Sequence, residues 1–262
     1  TGNQLDNLLI GGMGHDTLFG STGNDTLDGG AGNDALAGGT GNDTYYIDSE
    51  DDQITELAGE GSADMVITTL SYYSLEDANA QIEHLTFQGE EGAWGLGNAS
   101  NNAITGSAGA DTLDGGAGND TLAGGAGEDF YMVSGEFGAD TVIESDTSQD
   151  IDILGLGNLT PDQLWFSHAA GTNDLLVSVI GTSNQVTLSN WYAGMQNTLE
   201  YFQVLTPTQE ILTLARADVE ALVQAMAALT PPTAGQTNLS AQQHQALDPV
   251  INASWVYWSP AA

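Results

Sequence analysis

A nine-residue self-similarity decides what this chain can fold into. Gly11 to Phe19 reads GGMGHDTLF, Gly20 to Asp28 reads GSTGNDTLD, and Gly29 to Ala37 and Gly38 to Tyr46 follow in the same register. A degenerate copy, Gly2 to Ile10, precedes them and carries Asn7 where the others carry Asp. A second block runs Gly106 to Asp114, Gly115 to Ala123 and Gly124 to Met132, behind a degenerate leader, Gly97 to Thr105, with Asn102 at the Asp position. The consensus is GGxGxDxUx, with U a large apolar residue. A fixed short period of this kind belongs to stacked coils, in which each repeat buries its apolar residue only against its neighbours.

Each position has a physical reason. Glycines at positions one, two and four are expected to take positive φ and curl the backbone tightly. Such a curl turns carbonyl oxygens toward one point, to which Asp at position six adds a carboxylate. Oxygen-only ligation suits a hard cation, and a flexible, many-ligand set suits Ca²⁺ better than Mg²⁺. Positions seven to nine predict a three-residue strand whose central residue points inward. Leu18, Leu27, Leu36 and Tyr45 form one such set, and Leu113, Leu122 and Tyr131 another.

These residues resemble the nonapeptides of the repeats-in-toxin family, the haemolysin-type calcium-binding repeats. The resemblance implies an all-β fold, a right-handed parallel β-roll with several calcium ions, closed by a C-terminal β-rich cap with one or two short helices. Two nonapeptides make one coil, so the turns on one side are two repeats apart. That pairs Asp16 with Asp34, Asp25 with Asp43, and Asp111 with Asp129; Asp120 pairs with Asn102 and Asp25 also with Asn7. The sites holding Asn7 and Asn102 lack one carboxylate and are expected to be weaker or empty. Carbonyls at positions one, three and five complete the ligand set that the family implies. In the first block these belong to Gly11, Met13, His15, Gly20, Thr22, Asn24, Gly29, Ala31, Asn33, Gly38, Thr40 and Asn42. In the second they belong to Gly106, Ala108, Ala110, Gly115, Ala117, Asn119, Gly124, Ala126 and Glu128. His15 is expected to matter through its carbonyl, with its ring in solvent.

Composition agrees. Thirty-six acidic residues face a single basic one, Arg216, for a formal net charge of −35 over 262 residues. Like charges at that density oppose compaction. A disordered chain fits poorly with a 40% hydrophobic composition, which leaves bound cations to neutralise it. Nucleic acid is excluded as a partner, since phosphate binding needs clustered Lys and Arg, and an anionic membrane repels the chain. Cysteine is absent, so neither disulfides nor thiolate metal sites staple the fold. Thr1 opens inside a repeat, and the chain reads as a fragment.

Five segments follow: the first repeat block (1–47), spacer coils that continue the solenoid (48–96), the second block (97–149), a capping extension (150–230) and a tail (231–262). In the spacer, Asp64 to Leu70 and Ile82 to Phe87 read as strands. Asp51, Asp52 and Asp64 read first as a solvated acidic edge, with further calcium binding as the other reading. In the extension, Leu164 to Phe166 and Leu199 to Leu205 are strand candidates. Asp174 to Ile180 and Gln185 to Leu188 suggest a hairpin turning at Gly181 to Asn184. Trp165, Phe166, Trp191 and Tyr192 read as core rather than as a sugar-binding platform. Asp218 to Leu229 predicts a helix with Asp218 as N-cap and Val219, Leu222, Val223 and Met226 on one apolar face. Ser240 to Gln243 suggests a capping box. The tail, ending in Trp255 to Trp258, resembles an uncleaved type I secretion signal.

No HExxH, GxSxG or Gly-Lys phosphate loop occurs, so no enzyme is expected in this chain. Two readings remain open. One is the calcium-dependent folding and secretion end of a large adhesin, exported by a type I transporter to the exterior or surface of a Gram-negative cell, and monomeric. The other is the same end of a secreted toxin or hydrolase.

Overall fold

The computed structural model describes residues 1–76, 81–145, 150–233 and 235–257. The chain divides into two compact units, Thr1–Gly124 and Gly125–Ala262. Trp258, part of the expected secretion signal, lies outside the described residues.

The first unit begins with β1 (Leu8–Met13), β2 (Thr17–Thr22), β3 (Thr26–Ala31), β4 (Ala35–Thr40) and β5 (Thr44–Ile47). It continues with β6 (Gln53–Thr55), β7 (Met65–Thr68), β8 (Tyr72–Ser74) and β9 (His84–Phe87). The last four are β10 (Trp94–Leu96), β11 (Ala103–Thr105), β12 (Thr112–Asp114) and β13 (Thr121–Ala123). Odd-numbered strands stack in the order β1-β3-β5-β7-β9-β11-β13, and every pairing is parallel. Even-numbered strands form two further parallel sets, β2-β4-β6 and β8-β10-β12. That alternation is a parallel β-roll. Strands β6 to β10 of the spacer pair into the same parallel sets.

Inward side chains meet in columns set by the register. Leu27, Tyr45, Val66, Leu85, Ile104 and Leu122 follow one another across the odd strands. Each is 0–1% exposed. Leu18, Leu36 and Ile54 do the same across β2, β4 and β6. Each such side chain contributes about 1.5–3 kcal/mol of apolar burial, but a roll only two strands wide has little else to bury.

Two details differ from expectation. Strands of the first block run six residues rather than three, because the ladder continues through the glycines, with Gly12 opposite Gly30 and Met13 opposite Ala31. Only positions two and four use glycine for its backbone freedom: Gly30 has φ +77 and Gly32 has φ +153. Position one is glycine for space. A Cβ on Gly29 would stand 2.2 Å from Oδ2 of Asp34, the carboxylate of its own repeat.

In the second unit, β14 (Phe130–Ser134), β15 (Ala139–Val142) and β16 (Ile153–Gly157) are followed by β17 (Leu164–His168), β18 (Leu175–Val179) and β19 (Gln185–Leu188). Then come β20 (Tyr201–Leu205), β21 (Ile211–Ala215), α1 (Arg216–Ala227), α2 (Ala241–Ser254) and β22 (Trp255–Tyr257). Both sheets of this unit change from parallel to antiparallel. In one, β14, β16 and β20 pair in parallel, and β21 and β22 then add antiparallel. In the other, β15 pairs in parallel with β19, and β18 and β17 add antiparallel. The expected hairpin is β18–β19. Trp165, Phe166 and Trp191 are core, at 7%, 1% and 7% exposure, while Tyr192 is half-buried against His168.

Helix α1 buries the expected face of Val219, Leu222, Val223 and Met226. Its N-cap is Ala215, not Asp218. The chain leaves β21 directly into the helix, and Asp218 falls in the first turn, where its charge favours the helix dipole. The capping box is present at the start of α2, with Ser240 Oγ accepting the Gln243 amide and Gln243 Oε1 accepting the Ser240 amide. The tail is folded: Leu239, Leu247, Ile251 and Trp255 are buried, and β22 extends the sheet edge at β21.

Candidate metal centre

Asp25, Asp34, Asp43 and Asp120, at position six of the roll, each use one carboxylate oxygen to hold the coil before them. Oδ1 of Asp34 accepts the amide of Asp16 at 2.8 Å. Oδ1 of Asp43 accepts that of Asp25 at 2.6 Å, and Oδ1 of Asp25 that of Asn7 at 2.7 Å. In the second block Oδ1 of Asp120 accepts the amide of Asn102 at 2.7 Å. The coil spacing of two repeats, and with it these four pairings, is therefore present. Asp111 accepts the amides of Ala93 and Ser107, so Ala93 holds the position-six place of a spacer coil.

The other oxygen turns into the glycine turn. Oδ2 of Asp16, Asp25, Asp34, Asp43 and Asp64 is buried and has no hydrogen-bond partner. Leaving one oxygen of a charged carboxylate buried without a partner costs about 1–3 kcal/mol or more, against a total stability of about 5–15 kcal/mol for a folded domain. Five such oxygens in one thin roll demand positive charge. The chain cannot supply it, since its one Lys or Arg side chain, Arg216, lies in the second unit paired with Glu200 at 2.8 Å. A hard cation from solution fits these donors. With a glycine leaving space beside each carboxylate, Ca²⁺ is the ion that suits them.

Other turn atoms are placed as follows. The position-three carbonyls of Ala31 and Thr40 accept the amides of Gly14 and Gly23 in the preceding coil. The position-one carbonyl of Gly29 faces Gly11, 2.5 Å from where a Cβ there would stand. Position-five side chains tie neighbouring turns together: the Asn33 amide donates to His15 Nδ1 at 3.0 Å and the Asn42 amide to Asn24 Oδ1 at 2.9 Å. His15 is exposed but is not idle in solvent, as the sequence suggests, because its ring accepts from the next coil.

The carboxylate rail extends into the spacer. The Asp34 amide donates to Asp52 Oδ1 at 2.9 Å, and the Asp64 amide to Glu83 Oε2 at 3.0 Å. Asp51 is exposed and Asp52 half-buried, but Asp64 is 1% exposed and is no solvated edge. Burial pushes the carboxyls of Asp43 and Asp120 up to about 6 and that of Glu56 up to about 8. Burial likewise raises those of Asp52, Asp64 and Asp111. The buried carboxylates of Glu56, Glu144 and Asp152 were not foreseen from the sequence, because they lie outside the nonapeptide register.

In the second unit a similar rail runs from the Asp129 amide to Asp152 Oδ1 at 2.9 Å and from the Asp152 amide to Glu200 Oε2 at 3.1 Å. It ends on the chain's only arginine. Arg216 Nη1 donates to Glu200 Oε1 at 2.8 Å and to Thr198 Oγ1 at 2.9 Å.

The RTX calcium-binding nonapeptide repeat family matches this sequence in four copies, over residues 10–45 and 96–131. The chain carries RTX calcium-binding repeats. Their glycine turns and position-six aspartates are the turns and carboxylates described above. Among solved structures, this chain is similar to an extracellular lipase, LipA from Serratia marcescens, at 20% identity and a TM-score of 0.30. The similarity covers 72% of this chain and 37% of the lipase chain. The RTX roll is a structural calcium-binding fold rather than a catalytic one.

Proposed function

We infer that this chain is a calcium-dependent folding and secretion module at the C-terminal end of a large extracellular adhesin. The buried, unpartnered Oδ2 atoms of Asp16, Asp25, Asp34, Asp43 and Asp64 carry this reading. Extracellular calcium modules bind at roughly 10⁻⁴ to 10⁻³ M. At the much lower calcium of a cytosol, these carboxylates repel one another and the roll stays open. An open chain can thread a type I transporter, and calcium outside then folds it. The long spacer and extension favour an adhesin over a toxin or hydrolase as the parent.

Export of the chain in cells with a cognate type I transporter, beside a calcium titration followed by far-ultraviolet circular dichroism, tests this. The expected result is export of an unfolded chain that gains β signal only with calcium. Full β structure in excess chelator would overturn the folding switch. Normal export without residues 231–262 would remove the tail as the export signal. The sequence upstream of Thr1 distinguishes the parents: tandem sandwich domains support an adhesin, and a catalytic motif would replace it with a hydrolase or toxin.

A further inference from the structure

Three carboxylates meet where the first run of nonapeptides ends. Oxygens of Asp43, Glu56 and Asp64 all lie within 4.8 Å of one another, and the three residues are 0%, 2% and 1% exposed. Asp43 belongs to the last nonapeptide of the block. Glu56 and Asp64 belong to the spacer. Each is anchored through one oxygen. Oδ1 of Asp43 accepts the Asp25 amide, Oδ1 of Asp64 accepts the Asp43 amide, and Oε2 of Glu56 accepts the Tyr45 hydroxyl. Their remaining oxygens, Asp43 Oδ2, Asp64 Oδ2 and Glu56 Oε1, are buried without a hydrogen-bond partner. Anchored on one side and unsatisfied on the other, they form a donor set waiting for a cation.

Tyr45 explains itself in this light. It stands at the inward position of the repeat, which the two repeats before it fill with Leu27 and Leu36, and follows Leu27 in its column. A phenol at a core position needs its hydroxyl satisfied. Here the hydroxyl accepts the Gly38 amide at 2.9 Å and donates to Glu56, fixing the direction of the glutamate.

The arrangement recurs in the second unit. Asp129, Glu144 and Asp152 present buried carboxylate oxygens within 4.8 Å of one another, and the Tyr131 hydroxyl donates to Glu144 at 2.8 Å. Tyrosine and glutamate are 11 residues apart in the first case and 13 in the second. The spatial arrangement is kept while the linear spacing is not.

We propose that Asp43, Glu56 and Asp64 form a calcium site of a second kind, which closes the first repeat block, with Tyr45 as the residue that positions Glu56; Asp129, Glu144, Asp152 and Tyr131 repeat it. A turn of the roll offers a carboxylate from each of two coils and surrounding carbonyls. The closing site offers three carboxylates, one of them a glutamate from outside the repeat. More carboxylates in a calcium shell raise its affinity, so this site fills before the turns. The assignment rests on the reading of the chain as a calcium-folded module.

Calorimetric calcium titration of the full chain and of Glu56→Gln, Asp64→Asn and the double variant tests it. Each single variant is expected to lose one ion, from the tightest class, and the double variant no more than that same ion. Tyr45→Phe keeps the ion but weakens it by about 10–100-fold, the usual effect of removing a group that orients a ligand. It also lowers terbium emission excited through tyrosine, a readout of the distance between phenol and ion. An unchanged ion count in Glu56→Gln overturns the proposal, as does loss of two ions in the double variant. If Glu56→Gln does not fold, Tyr45→Phe decides: unchanged affinity and unchanged terbium emission overturn it. A chain that binds no calcium in any variant overturns the folding module itself. Turn sites that fill normally while Glu56→Gln keeps every ion overturn only the closing site.

Discussion

The amide of Asp43 donates to Oδ1 of Asp64 at 2.7 Å across 21 residues, while the equivalent bond from Asp25 to Asp43 spans 18. Three extra residues lengthen the spacer coil without moving the carboxylate off the rail. The roll thus keeps the stacking of acids rather than the length of the coil, and the extra residues are absorbed between Thr55 and Asp64, outside the ladder.

Asp34→Ala should weaken calcium binding and lower the stability of the calcium-loaded roll by about 1–3 kcal/mol. That is the usual cost of stranding a buried partner of a charged hydrogen bond; here the stranded group is the Asp16 amide. Asp48→Ala, at an exposed position, should change stability by less than about 0.5 kcal/mol. Equal loss of bound ions from both variants, by calorimetry, would mean that the repeat register is wrong.

Gly29→Ala separates space from backbone freedom. The added Cβ would stand 2.2 Å from Asp34 Oδ2, so the carboxylate must move and the calcium midpoint should shift to higher concentration. If Gly29→Ala left the calcium midpoint where it is in the parent chain, the carboxylate would not need this space.

Without calcium, stability should fall as pH rises. Burial, with neighbouring carboxylates adding to it, lifts Asp43 from 3.8 to about 6 and Glu56 from 4.5 to about 8. A carboxyl with a raised folded-state pKa binds its proton more tightly when folded. Its contribution is complete below the unfolded value and is lost as pH rises through the folded one. In chelator, β signal by circular dichroism should therefore decline from about pH 4 to about pH 8. Saturating calcium should reverse the slope, because the ion competes with these protons. A calcium-free roll that gains structure toward pH 8 would contradict this.

In the second unit, Trp191→Ala should destabilise by about 3–5 kcal/mol, because Trp191 is 7% exposed and packs edge-on against Phe202 with ring centroids 5.7 Å apart. Removing residues 231–262 should also lower the melting temperature of the calcium-loaded chain. The tail holds Leu247 at 0% exposure and pairs β22 with β21, so the truncated unit exposes the face of α1 that α2 covers. The sequence alone likens the tail to a secretion signal; the structure makes it part of the fold as well. Unchanged thermal unfolding of the truncated chain would mean that the tail does not stabilise the unit.

The roll was legible because its rule is periodic. One inward Leu or Tyr every nine residues predicts the columns through Leu27 and Leu36, and Asp at position six predicts which acids stack. What escaped obeys no period. Glu56 and Glu144 reach their sites at different distances from their tyrosines, so no spacing announces them. Position-one glycines look like those at positions two and four, and only the nearness of the Asp34 carboxylate to Gly29 separates space from φ. Asp64 reads as a surface acid because burial of a charge is visible only when its neighbours are placed. Helix α2 was legible only at its cap, since its apolar residues are few and Pro249 interrupts the pattern.

Arg216, at the end of the rail through Asp152 and Glu200, gives the second unit a counter-ion that is written into the sequence. Calcium comes and goes with its concentration, but a guanidinium is there at every concentration, so the coil bearing Glu200 is neutralised before the first ion arrives. The same unit holds β17, β18 and β19, whose antiparallel pairings close across short turns. Hairpins of that kind form in about 1–10 μs, whereas pairing one coil with the next closes a much longer loop and is slower. Within this unit, ordering is therefore expected to start from the antiparallel hairpins, and the parallel strands β14, β15 and β16 to join them as the metal is taken up.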